Sequence, residues 1–307
     1  MPLALSTSWN AYRHNDARGL LFEIKQLGFD DVELSFNLTG SMVDEVPGVA
    51  HELGLNILSL HNYCPIPGGF SRKEALPDCY SLSSLDPEER KTAIRYTQRT
   101  IDRACSLGAK AVVLHCGRVE IEDKTRELIS LYGSGSADTK EFGKLRDSFV
   151  SQRAEVSGDF LMKVLSSLDE LEPYARGKGI RLGIENRFYY REIPSFEEVG
   201  VILNKFKGSN ILYWHDTGHA KIMQNLGFIK NGDYLKVYSR DLLGIHLHNI
   251  IGCFDHQAPI RGDLNFSAIK PYIKKDTIKV IEAHHPASAV EVKESIELLK
   301  GVFNGIT

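Results

Sequence analysis

Eight short apolar runs, each followed by a helical pattern, constrain the fold of this chain more than any other feature of its sequence. Nearly continuous apolar character is typical of parallel strands that are covered by helices. The pattern therefore predicts a strand in each run and a helix between successive strands. The runs span residues 3–9, 31–36, 56–62, 109–117, 180–186, 210–216, 242–249 and 279–285.

The clearest helical pattern, residues 85–109, carries signals at both ends. Asp86 can cap its N-terminus, Pro87 suits the first helical position, and Gly108 can end the helix. Eight strands alternating with eight helices predict an α/β fold, a single (β/α)8 TIM barrel over residues 1–307, with a doubly wound open sheet as the alternative. The other helical patterns cover about 16–27, 43–53, 143–177, 196–206, 219–238, 266–275 and 288–302.

Two of the predicted connections are unusually long. They are residues 63–85, after the third strand, and about 118–142, after the fourth. In a barrel, both follow the carboxyl ends of strands and overhang the face on which barrel enzymes carry out their chemistry. We expect these long loops either to cover a substrate or to be surface insertions without a role.

The composition limits the partners and the compartment. The net charge is −3, so nucleic acid is not expected as a partner. No apolar run reaches the length of a membrane span, and the N-terminus lacks the basic and apolar regions of a signal peptide. Five cysteines without CxxC spacing suit a reducing compartment. We therefore expect a cytoplasmic protein, and the sequence leaves open whether it forms a homo-oligomer.

Residue types that bind metals occur at the ends of six of the eight predicted strands. In a barrel these ends converge on one mouth. Buried carboxylates are costly to desolvate, and a divalent cation offsets that cost. Carboxylates mixed with imidazoles suit Mn²⁺, Mg²⁺, Co²⁺ or Zn²⁺ without selecting among them. The residues at or just beyond these strand ends are His61, His115, Glu185, Asp216, His219, His246, His248, His256, Glu282, His284 and His285.

Two of these histidines share one face of the seventh strand. His246 and His248 are two positions apart, so both side chains should point into the barrel. His248 is nearer the carboxyl end, and we expect it to be the metal ligand. We expect His246 to lie one layer deeper, as a core residue or as a partner of a ligand.

In their order along the chain, these strand ends resemble the xylose-isomerase-like TIM-barrel superfamily, in its sugar phosphate isomerase and epimerase branch. The resemblance implies a divalent-metal-dependent enzyme that acts on a sugar or related polyhydroxy carbonyl compound through a metal-stabilised enediolate. It implies Glu185 and Glu282 as acid and base. The segments that carry the resemblance are SLHNYCPIP (59–67), SLGAKAVVLHCG (106–117), LGIENR (182–187), WHDTGHA (214–220), GIHLHNIIGCFDH (244–256), RGDLNF (261–266) and VIEAHH (280–285). The implied metal ligands are Glu185, Asp216, His248 and Glu282.

A related branch, the apurinic-endonuclease type, implies a multi-zinc phosphodiesterase instead. Against it, Phe254 stands where that branch has an aspartate, and residues 260–262 replace its Gly-Glu-Gly. A metal-dependent dehydratase or lyase of keto-polyols is a further alternative, because it needs the same enolate stabilisation. A sugar-binding barrel without activity would need a defective metal site. The additional zinc ligands of the phosphodiesterase would be His61, His115, His219 and His256.

Candidate substrate contacts lie near the predicted metal site, and the expected partner is a small sugar-like molecule. Arg187 follows Glu185 closely, and Arg261 lies in the loop after the seventh strand, so either could contact an anionic or polyhydroxy substrate. Trp9, at the end of the first strand, could stack on a sugar ring or belong to the core. The predicted substrate contacts are His219, Arg187, Arg261, His61 and Trp9.

Overall fold

The main feature of the computed structural model, which describes residues 2–230 and 232–306, is a closed barrel of eight parallel strands. The strands follow one another around the barrel in chain order, and the last pairs with the first. This confirms the predicted barrel and excludes the open sheet. Residues 1, 231 and 307, which the predicted domain includes, lie outside the described residues. The strands are β1 (Ala4–Ser6), β2 (Asp31–Leu34), β3 (Asn56–His61), β4 (Ala111–Leu114), β5 (Arg181–Glu185), β6 (Ile211–Asp216), β7 (Leu242–Leu247) and β8 (Ile278–Ile281).

Helices surround the barrel and bury their apolar faces against it. Leu20 and Ile24 of the first helix, for example, are fully buried in the same cluster as Val32 and Leu34 of β2. None of the helices in the described part of the chain is long and apolar enough to cross a membrane. The helices are α1 (Ala17–Gln26), α2 (Gly40–Leu53), α3 (Pro87–Ser106), α4 (Thr125–Gly133), α5 (Lys140–Gly177), α6 (Phe196–Lys205), α7 (Thr217–Asn225), α8 (Asp233–Tyr238) and α9 (Ala289–Val302).

The ends of α3 follow from local chemistry. The Asp86 side chain accepts a hydrogen bond from the amide of Glu88 at 2.9 Å, and Pro87 is the first helical residue. Gly108, just past the helix, adopts a left-handed φ of +70° that favours glycine. Both predicted ends of this helix are confirmed.

Three of the connections between strands differ from the predicted pattern. The connection 118–142 contains α4, so only part of it is a loop. The helix predicted over 219–238 is divided into α7 and α8, because Gly227 has a φ of +76° that ends helical geometry. The helix predicted over 266–275 is two 3₁₀ turns, Phe266–Ala268 and Lys270–Tyr272, since Pro271 lacks the amide hydrogen that a continuous helix needs.

The barrel interior has an apolar layer beneath a polar one, and this layering positions the site. Trp214 of β6 and Val280 of β8 belong to a buried apolar cluster inside the barrel. Two positions further along, the same faces carry Asp216 and Glu282, which are also buried. The carboxyl end of the barrel is therefore lined by ionisable groups that rest on an apolar base.

Two segments overhang this end from opposite sides. One is the long connection 62–86 after β3, which contains neither helix nor strand. The other is a hairpin after β7, formed by Asn249–Ile251 and Phe254–Gln257. In the closed order, β3 and β7 are four strands apart, so the two segments face each other across the mouth.

Candidate active site

A cavity of about 690 Å³ opens at the carboxyl end of the barrel. The predicted strand-end residues therefore converge on one space, as the barrel geometry requires. Asp216, His246 and His248 lie just behind its surface, with no side-chain exposure to solvent. Its lining includes Glu185, Glu282, Arg187, His61, His115, His219, His256 and His284.

His246 lies at the centre of three buried carboxylates. Its Nδ1 is 2.6 Å from Oε1 of Glu185 and 2.9 Å from Oε2 of Glu282, and its Nε2 is 3.0 Å from Oε1 of Glu33. Burial by itself would lower the pKa of His246, but the three carboxylates outweigh burial and raise that pKa well above its usual value. Without a cation, this raised pKa favours a protonated His246, which would compensate part of the negative charge.

Four of these side chains direct ligand atoms to one point. Atoms of Glu185, Asp216, His246 and Glu282 lie within 4.8 Å of one another. Two like unit charges about 4 Å apart repel by roughly 4 kcal/mol at an effective dielectric constant near 20. A divalent cation fits this donor set because it would turn that repulsion into attraction, with Nδ1 of neutral His246 as a ligand and Nε2–H donating to Glu33. Three carboxylates and one imidazole suit Mn²⁺, Mg²⁺, Co²⁺ or Zn²⁺.

The strand register explains why His246, and not His248, belongs to this group. His246 is the residue level with Asp216 across the β6–β7 pair, and β7 ends at Leu247, so His248 lies beyond the strand. Nδ1 of His248 accepts a hydrogen bond from the amide of His256 at 2.9 Å, and its Nε2 lies 2.9 Å from Oδ1 of Asp216. Both ring nitrogens of His248 are therefore engaged. The sequence analysis expects His248 as the ligand and His246 one layer deeper, and His248, beside Asp216, stays a candidate ligand.

A second group of possible ligands shares Asp216 with the first. It comprises Asp216, His219, His248 and His256. Burial by itself would lower the pKa of His256, but the Asp255 carboxylate 2.8 Å from its Nδ1 outweighs burial and raises that pKa to about 9. Phe254 occupies the position at which the apurinic-endonuclease type has an aspartate, and Asp255 supplies a carboxylate beside His256 instead.

Arg187 lies within a third group, which consists of His61, His115 and Glu185. One of its guanidinium nitrogens, Nη1, donates to Oε2 of Glu185 at 2.6 Å and lies 2.5 Å from Nε2 of His115. Burial lowers the pKa of His115 well below its usual value, and the guanidinium lowers it further. Arg187 therefore places a permanent positive charge between His115 and Glu185, the two side chains that would have to bind a further metal ion.

The family to which the chain belongs follows from a match over most of its length. Residues 21–302 match the family model described as xylose isomerase-like TIM barrel. The chain belongs to this family. This confirms the resemblance that the strand-end segments indicate.

Solved structures of similar fold include sugar epimerases. One is 3-keto-D-glucoside 4-epimerase, YcjR, from E. coli, with 16% identity, a TM-score of 0.68 and coverage of 98% of this chain and 99% of that chain. A D-tagatose 3-epimerase-like protein has 18% identity, a TM-score of 0.67 and coverage of 100% and 98%. D-Psicose 3-epimerase from Clostridium cellulolyticum H10 has 14% identity, a TM-score of 0.67 and coverage of 99% of each chain. At such identities the similarity shows the fold. No curated protein sequence matches the chain significantly.

Two of the predicted substrate contacts, Trp9 and Arg261, lie away from the cavity. Trp9 is fully buried in the outer core, and its Nε1 donates to the carbonyl of Ala287 at 2.8 Å, so the ring has no face free for a sugar. Arg261 is exposed, and its Nη1 lies 3.3 Å from Oε1 of Glu291, outside the cavity lining. The structure thus agrees with the core alternative for Trp9 and places Arg261 outside the cavity, whereas Arg187, His61 and His219 do line it.

Glu33 is a buried residue of the site that the sequence analysis missed. Its Oε2 accepts a hydrogen bond from Oγ of Ser59 at 2.7 Å, while Oε1 faces His246. The sequence did contain a signal, because Glu33 interrupts the apolar run 31–36 between Val32 and Leu34. Since neighbouring side chains of a strand point to opposite faces, Glu33 faces away from Val32 and Leu34, and in the structure this face is the barrel interior, where the carboxylate requires a partner.

Proposed function

We propose that this protein is a divalent-metal-dependent isomerase or epimerase of a sugar or related polyhydroxy carbonyl compound. The observation that carries the proposal is the buried group of Glu185, Asp216, His246 and Glu282 at the base of the cavity. The named activities of two proteins of similar fold, a 3-keto-D-glucoside 4-epimerase and a D-psicose 3-epimerase, support it.

Glu185 and Glu282 are the proposed acid and base. Burial raises the pKa of each, but charge and hydrogen bonds from neighbouring histidines, His246 first among them, lower both values below the usual range. Both line the cavity; Glu185 ends β5 and Glu282 directly follows β8, and these strands are three apart around the barrel. One carboxylate can therefore take a proton from one face of a sugar carbon while the other returns a proton to the opposite face.

The neighbouring residues hold these carboxylates and the substrate. A divalent cation bound to the group supplies positive charge for the oxyanion that develops as the carbon loses its proton. Arg187 donates to Glu185 and fixes the orientation of that carboxylate. His61 and His219 line the cavity and are placed to hydrogen-bond substrate hydroxyls, which would align the reacting carbon.

Deuterium exchange tests the proposal without knowledge of the product. The metal-loaded protein is incubated in D₂O with D-fructose, D-tagatose and D-psicose, and deuterium beside the carbonyl is measured by NMR. Glu185→Gln and Glu282→Gln should each lose about 10²–10⁴-fold of the exchange rate and still unfold cooperatively. Glu297→Gln, in an exposed pair with Lys300, is the matched control. Exchange at the wild-type rate in Glu282→Gln would contradict its role, and loss of water from the product would indicate a dehydratase.

A multi-zinc phosphodiesterase is the second candidate function. The group of Asp216, His219, His248 and His256, with Asp255 beside it, favours this alternative. The guanidinium of Arg187 between His115 and Glu185 argues against it, because it repels a metal ion there. Metal content per chain, measured after chelation and refilling from mixed ions, separates the two: one ion supports the epimerase, and two or three zinc ions support the phosphodiesterase. An epimerase should also keep its metal in His61→Ala and His115→Ala, whereas a phosphodiesterase should lose one.

A further inference from the structure

The cavity is larger than one reacting sugar requires. Its volume is about 690 Å³. A hexose has twelve heavy atoms, and even at the roughly 30 Å³ that each water molecule takes in the liquid it would fill no more than about 360 Å³. Nearly half of the space is therefore left for a group beyond the reacting ring.

Apolar side chains from opposite sides of the mouth line this remaining space. Phe254, in the hairpin after β7, is 77% exposed, and Leu76, in the connection after β3, is 56% exposed. Both line the cavity, and the strands that precede them are diametrically opposed in the closed barrel. Large apolar side chains left in water at the rim of a cavity are typical of a ligand-binding surface.

Two further aromatic rings lie between this rim and the ionisable groups. Phe36 contacts the ring of His61 at 5.6 Å between centroids, and Phe188 contacts the ring of His219 at 5.9 Å, both edge to face. Both phenylalanines line the cavity and are partly exposed. Sugar and aryl rings have apolar faces, which such aromatic side chains bind by packing and stacking.

We propose that the outer part of the cavity, bounded by Phe254, Leu76, Phe36 and Phe188, binds a second ring that is attached to the reacting sugar. The substrate is then a glycoside whose reacting sugar carries a carbonyl group, and its second ring is another sugar or an aryl group. The identity of the reacting sugar rests on the proposed function, whereas binding of the second ring does not depend on turnover.

Equilibrium binding to the full chain tests the proposal, with methyl β-D-glucoside, phenyl β-D-glucoside, cellobiose and D-glucose 6-phosphate as probes. The phenyl glucoside or cellobiose should bind at least about five-fold tighter than the methyl glucoside, which is the contribution of roughly one aromatic contact. Phe254→Ala and Leu76→Ala should remove this advantage. Phe22→Ala, which removes a 49% exposed ring from α1, should preserve it.

Three results would overturn the second-ring site. The first is that neither two-ring glucoside binds more tightly than the methyl glucoside. The second is that tighter binding of a two-ring glucoside survives in both Phe254→Ala and Leu76→Ala. The third is that glucose 6-phosphate binds more tightly than both two-ring glucosides. A two-ring advantage over the methyl glucoside without deuterium exchange on any keto-sugar would support the site while the epimerase proposal fails. Exchange on a free ketose without a two-ring advantage would support the epimerase and reject the site.

Discussion

Replacing Glu33 with glutamine tests whether metal binding depends on a residue behind the cavity. Glu33 is fully buried on β2, with Oε1 3.0 Å from Nε2 of His246 and Oε2 2.7 Å from Oγ of Ser59. A carboxylate that accepts a hydrogen bond from Nε2 keeps the proton on that nitrogen and leaves the lone pair of Nδ1 for a cation. In the proposed site, Glu33 would therefore position His246 without itself contacting the metal.

We expect Glu33→Gln to weaken metal binding about 10–100-fold, the usual effect of altering a carboxylate behind a metal-binding histidine. This corresponds to about 1.4–2.7 kcal/mol. The glutamine oxygen can still accept from Nε2–H, so loss of charge alone should give the smaller effect. Glu33→Ala also removes the hydrogen bond and should give the larger effect. Ser59→Ala is the matched control, because it removes one hydrogen bond but keeps the carboxylate, and it should weaken binding less than about five-fold.

Competition with a chromophoric chelator gives the metal Kd of each variant, and urea unfolding of the metal-free proteins checks that they fold. A folded Glu33→Gln protein with wild-type metal affinity would refute the argument. The pair His246→Ala and His248→Ala completes the test. Loss of metal only in His248→Ala would show that the ligand chosen from the sequence is correct.

Three further predictions concern stability. Arg153→Met removes the guanidinium that donates to both carboxylate oxygens of Glu198, at 2.9 and 2.7 Å, and the unpaired buried carboxylate should lower the free energy of unfolding in urea by about 3–5 kcal/mol. Gly244→Ala would place a Cβ 2.3 Å from Cζ3 of Trp214 and should cost about 1–3 kcal/mol, whereas Gly301→Ala, with open space around it in α9, should not destabilise the protein. Saturation with the metal at about 100 times its Kd should raise the free energy of unfolding by about 2.7 kcal/mol, and a urea midpoint unchanged by chelation would contradict a metal site on the folded chain.

Most of the fold could be predicted because its signals are local. Residues 109–117 show the apolar run of β4 followed by a turn, and Asp86 and Gly108 mark the ends of α3. Helix α4 was missed because its sequence is short and its stability comes from tertiary contacts. Leu128 of α4 is buried against Phe142 and Phe149 of α5, and that contact cannot be read from residues 118–142 alone.

The candidate site could be predicted only in part from local features of the sequence. Alternation along β7 correctly predicts that His246 and His248 point into the barrel, but it does not give the level of either residue relative to β6 and β8. That level depends on the stagger of paired strands, which closure of the whole barrel determines. His246 is level with Asp216 of β6 and with Val280 of β8, so it reaches the glutamates while His248 falls beyond the strand. Glu33 was missed for the same reason, since its partner His246 is 213 residues away in the chain. Residue types at strand ends therefore predict that a barrel binds a metal, whereas strand register decides which of two neighbouring histidines lies level with the carboxylates.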